Sequence, residues 1–122
     1  MTILKIEPHK HPETIEIDGS LESMQAVVGG LIQAIYPFEA PVALVCNDEG
    51  KLCNLEKNRA LYSAETGAVY DVICGTFFVC GVSTEAAEFT SLTTEQIKTY
   101  TELFYSPEII LEAGNSLLVL KL

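Results

Sequence analysis

Near its start the chain alternates. From Thr2 to Glu7, an extended segment places Ile3, Lys5 and Glu7 on one side and Leu4 and Ile6 on the other, and Pro8 ends the run. From Glu13 to Asp18, Ile15 and Ile17 alternate with Glu16 and Asp18. Between these two predicted strands, Pro8-His9-Lys10-His11-Pro12 reads as a hairpin connection. The period then changes. Leu21, Met24, Val27 and Val28 recur at helical spacing, with Ser20 as N-cap, Glu22 where the helix dipole favours an acid, and Gly29-Gly30 as a stop.

Strand-like runs return at Leu31–Tyr36 and Val42–Cys46. Asn47-Asp48-Glu49-Gly50 predicts a turn, and Lys51 to Asn54 the strand that returns from it. Residues 54–68 show no clear period. Val69–Ile73 and Thr76–Val82 read as buried strands separated by Cys74-Gly75, and Gly75 and Gly81 suggest bulges or a close backbone approach. The strongest helix signal follows. Thr93 and Gln96 form a capping box, Leu92 and Ile97 a hydrophobic staple, and Ile97, Tyr100, Leu103 and Phe104 an apolar stripe that Pro107 limits. The apolar tail after Pro107 is either a hairpin turning at Ala113-Gly114-Asn115-Ser116 or partly helical. The pattern predicts an α+β fold: a mixed, mainly antiparallel sheet with two helices. It comprises one domain over residues 1–106 and a C-terminal extension over 107–122, which we expect to be a hairpin or an oligomer contact.

Composition sharpens this picture. The 122 residues carry 17 acidic and 7 basic side chains, a net charge of −10, and 48% are hydrophobic. So short a supply of Lys and Arg argues against direct nucleic-acid binding and against a polybasic membrane anchor. No apolar run approaches the length of a membrane span. The four cysteines, Cys46, Cys53, Cys74 and Cys80, lack the tight spacing of a zinc knuckle, and three of them lie in apolar runs. They predict reduced core thiols and a cytoplasmic protein.

Candidate chemistry is sparse. Glu7, His9 and His11 form E-x-H-x-H, but prolines flank the histidines and favour a solvated turn over a metal site. No nucleophile–base pair or paired-carboxylate set stands out, so neither an enzyme nor a cofactor is expected. Arg59 is the only arginine. It is either a structural clamp or, with Asn58, a fork for an anionic ligand. Tyr62 and Tyr70 are candidates to line a pocket nearby. Glu65, Asp71, Glu85, Glu88 and Glu95 fall in a stretch without a balancing Lys or Arg. They form either a solubilising face or a surface for a basic partner.

Val45-Cys46-Asn47-Asp48-Glu49-Gly50-Lys51-Leu52, Asn58-Arg59-Ala60-Leu61-Tyr62 and Tyr70-Asp71-Val72-Ile73-Cys74-Gly75-Thr76-Phe77-Phe78-Val79 together resemble the DUF3846 family. The likeness takes in the first helix and Phe89 to Ile97, and runs over about residues 2–105. It implies a setting in phages, plasmids and integrated conjugative elements and supplies no catalytic residues. Asn58-Arg59 and Gly75-Thr76 match the family pattern and become the choice for a shared ligand or structural role. The reading that follows is a non-enzymatic accessory protein that inhibits a host defence system by covering a basic site on an effector. The alternative is a binder of a small anionic nucleotide that uses Asn58, Arg59, Tyr62, Gly75 and Thr76. The apolar tail adds a possible homodimer contact.

Overall fold

In the computed structural model, which describes residues 1–122, the early alternation becomes a hairpin of β1 (Thr2–Ile6) and β2 (Glu13–Glu16), with Ile3 opposite Ile15. β1 also pairs with β7 (Phe77–Ser83), and β7 with β4 (Val42–Asn47), which carries β3 (Ile32–Ile35) at its other edge. The order is therefore β2-β1-β7-β4-β3, and a short β8 (Glu88–Thr90) pairs with the end of β7. Every ladder is antiparallel.

The central strands β4 and β7 are buried on both faces, and each face has its own cover. α1 (Leu21–Val28) lays Met24 and Val28 against Ile3, Ala43, Val45, Phe78 and Cys80. Its ends are as predicted: Ser20 Oγ accepts from Ser23 N, and Gly29 closes the helix at φ 78°. Leu4, Ile6, Val42, Leu44, Phe77 and Val79 point to the other face. There they meet α2 (Thr94–Leu103) through Tyr100 and the following Phe104. The capping box of Thr93 and Gln96 is present in both directions. Leu103 departs from the predicted stripe and is exposed.

That second face is also covered by a separate two-stranded sheet of β5 (Lys57–Tyr62) and β6 (Val69–Cys74). Leu61 and Ile73 enter the main core, whereas Ala60 and Val72 face outward and pack on Ile110. Ile110 belongs to the tail, which forms a hairpin of β9 (Glu108–Ala113) and β10 (Ser116–Lys121), not a helix. The layers thus run α1, main sheet, β5–β6 with α2, and finally β9–β10.

Three expectations need correction. Lys51 to Asn54 is not a strand. The turn that starts at Asn47 continues, with Cys53 N bonding Glu49 O and Leu55 N bonding Gly50 O. Residues 57–62, left without a period, are strand β5, whose buried Asn58 and Arg59 hide the apolar alternation. β8 also escapes the pattern, being three residues long. The close approach at Gly81 is real: a Cβ there would lie 2.6 Å from Thr90 Oγ1 and 2.8 Å from Ser91 O. At Gly75, with φ 83°, the chain leaves the small sheet for the main one.

No helix is long and apolar enough to cross a membrane. All four cysteines are free. Cys46 and Cys80 are buried, Cys74 is half-buried and Cys53 is exposed.

Candidate functional site

Arg59 is fully buried, and so is Asn58 beside it. Consecutive strand residues normally face opposite ways. Here the β5–β6 register shifts between Lys57 and Arg59, so Asn58 is an extra residue and both side chains turn inward. Nε of Arg59 donates to Phe104 O at 3.2 Å, and Nη2 to Phe104 O at 3.0 Å and to Lys10 O at 2.7 Å. Nη1 donates to Asn58 O at 3.3 Å and to Asn58 Oδ1 at 2.8 Å. A guanidinium has five N–H groups, and these five bonds occupy them. Asn58 Nδ2 in turn donates to Ile6 O and to Gly75 O, both at 2.9 Å.

This overturns the ligand role assigned to Arg59, Asn58 and Gly75. The three do come together, but as an interior knot with no donor left for a phosphate. The clamp closes on backbone carbonyls from two distant segments, at Lys10 and Phe104. Burial pulls the Arg59 pKa below its ordinary value, and the charge of Glu108 counters that effect. Thr76 follows Gly75 between the two sheets and lines none of the surface pockets.

Tyr62 has a different surrounding. It and Tyr70 line one pocket of about 250 Å³ at the turn end of β5–β6. Phe38 and Leu103 supply further apolar wall, and the tail hairpin contributes Glu108 and Lys121. Glu108 is only 5% exposed. Its Oε1 accepts from Ala60 N at 2.9 Å and holds the start of β9 against β5. Lys121, its cross-strand neighbour, extends instead over the Tyr62 ring, 5.6 Å from the centroid. Burial, and after it the charge of Glu108, pushes the Tyr62 hydroxyl up. Sequence reading missed Phe38, Glu108 and Lys121. The acid that opens an otherwise apolar run just after Pro107 was the available signal.

The proposed partner-binding carboxylates separate into two groups. Asp71 is half-buried and engaged, with Lys51 Nζ at 2.5 Å and its own carboxylate accepting from Val72 N. That corrects its assignment to a free acidic surface. Glu65 is exposed on the β5–β6 turn, Glu85 on the β7–β8 turn, Glu88 at the start of β8 and Glu95 in the first turn of α2. None of these four makes an ion pair.

Glu7, His9 and His11 do not converge. Glu7 binds Lys5 and Lys10, which hold its carboxyl below the usual range. His9 Nε2 lies 2.6 Å from Glu56, and His11 stacks on Tyr105 with ring centroids 4.3 Å apart.

A family profile described as Domain of unknown function (DUF3846) matches residues 1–105. No curated protein and no solved structure matches the chain.

Proposed function

The chain belongs to the DUF3846 family, and from that premise we propose that it is a non-enzymatic binding protein of a phage or other mobile element. It acts in the cytoplasm and inhibits a host defence system by occupying a basic site on an effector. The observation that carries this reading is the distribution of charge. Lys5, Lys10, Lys51 and Lys57 are held in intramolecular ion pairs, whereas the exposed Glu65, Glu85, Glu88 and Glu95 form none. A net charge of −10 on a folded surface speeds and orients encounter with a basic partner. Capture from a host lysate at rising salt tests it. Binding that weakens with ionic strength supports the reading, and binding indifferent to salt overturns it.

A homodimer is supported by a separate feature. Across the β9–β10 register Leu118 faces Leu111 and Leu120 faces Ile109. All four are exposed on the side turned away from β5–β6. That outer face bears no charge, because Glu108, Glu112 and Lys121 alternate to the inner side. Glu112 pairs there with Lys57 at 3.5 Å. Light scattering of the full chain and of Leu118→Glu tests the dimer.

A further inference from the structure

The pocket between Tyr62 and Tyr70 holds a charge that the fold only half satisfies. Glu108 Oε1 is bonded to Ala60 N, whereas Oε2 has no partner within the protein and, in a residue otherwise more than nine-tenths buried, is the oxygen that keeps access to solvent. Set between apolar and aromatic walls, that solvent-accessible carboxylate oxygen is a ready acceptor for a charged donor. The walls beside it are rings, and one ring already carries a cation. Lys121 lies over Tyr62 and makes no ion pair with any carboxylate.

We propose that this pocket binds a guanidinium group, which displaces Lys121 from Tyr62, stacks on the tyrosine and donates to Glu108 Oε2. Four observations converge. An aromatic face prefers a cation, and a planar guanidinium adds stacking to that attraction. The free carboxylate oxygen supplies the charge-assisted acceptor. The volume, about 250 Å³, suits one side chain and falls below the pockets of about 300–1,000 Å³ that hold larger ligands. The overall charge of −10 draws cations and repels the phosphates of a nucleotide. Arg59 behind Glu108 does not oppose the exchange, since one cation leaves as another arrives. The chemistry is shared by a free guanidino compound and by an arginine on a partner protein. Its residues differ from the acidic surface proposed above.

Titration of the full chain, followed by NMR, with N-acetyl-arginine amide and its neutral isostere N-acetyl-citrulline amide tests the site. Saturable shifts at Tyr62 and Tyr70 are expected with the arginine probe alone. Tyr62→Leu, at an exposed position that leaves the fold intact, should weaken binding about tenfold, and so should Glu108→Gln. Lys121→Ala should strengthen binding about threefold by removing the resident cation. The same arginine within a hexapeptide distinguishes the sources: tighter binding identifies a protein side chain, and equal binding a small molecule. Equal affinity for the citrulline probe, no saturation by either arginine probe, or unchanged or weaker binding by Lys121→Ala overturns the proposal. Salt-dependent capture of a basic partner is read separately on variants of Glu85 and Glu88 with Glu108 intact, so either idea can fail alone.

Discussion

Asn58 and Arg59 are adjacent in one strand, and both are completely buried on the same side of it. The bulge that permits this lets Asn58 Oδ1 accept from Arg59 Nη1 at 2.8 Å. Asn58 thereby serves as the inner ligand of the guanidinium, while its amide ties β1 to the start of β7 through Ile6 O and Gly75 O. The pair joins the two sheets and the end of α2 into one unit.

Arg59→Ala is expected to destabilise the fold by about 3–5 kcal/mol, because it strands Phe104 O, Lys10 O and Asn58 Oδ1 and removes the buried cation whose charge interacts with Glu108. Arg59→Lys should recover only part of the loss, since an ammonium has three donors for five positions. Urea denaturation of the three proteins checks this. A midpoint for Arg59→Lys equal to wild type would refute the clamp.

Leu118→Glu places a charge in the centre of the exposed apolar face. If that face joins two copies, the variant should run as a monomer at concentrations where the wild type scatters as a dimer, with the same circular dichroism spectrum. Removing the whole tail is a poorer test. It deletes Glu108 and Ile110, which are buried against β5 and β6.

Alkaline pH should destabilise the protein from about pH 9 upward. Burial pushes the Cys80 thiol up to about 12 and raises Cys46 and Tyr100 as well. The unfolded chain then loses protons that the folded chain keeps. The stabilisation is therefore complete below the unfolded thiol value and is lost as pH rises toward the folded one. Thermal melts between pH 7 and 11 give the slope. A matching labelling experiment with iodoacetamide should modify the exposed Cys53 first and Cys80 last.

Replacing Glu85, Glu88 and Glu95 together by Gln removes three unpaired carboxylates. Stability should change little, because exposed charges contribute little and only Glu95 gains from a helix dipole. Association with a basic partner should slow markedly at low salt and converge with wild type at high salt. Equal association rates at low salt would remove these residues from the surface.

Both helices were readable because their signals are local: a cap, a stripe and a stop within about ten residues. The hairpin at residues 7–12 was readable for the same reason. β5 was not. Its sense depends on Asn58 and Arg59, whose partners lie as far as 52 and 49 residues away. The turn after Asn47 misled because a tight four-residue reading ignored Cys53 and Leu55, which bond back to Glu49 and Gly50. Tyr62 and Tyr70 could be singled out as aromatic candidates for a pocket, although the β5–β6 hairpin that brings them together could not be read. Their polar neighbours could not, because Glu108 and Lys121 reach the pocket only through the register of a second hairpin.

The knot around Arg59 also has a place in time. Its guanidinium is made before Phe104, the carbonyl it holds with two donors, and 45 residues separate them. At about 5–20 residues per second of synthesis, the arginine waits a few seconds with an incomplete set of partners. A growing chain that stops short of Phe104 has α1 and every strand of its main sheet but lacks the group that closes β5 onto them. Such a fragment should be digested by protease where the full chain resists, so the fold commits itself only once Phe104 has been made.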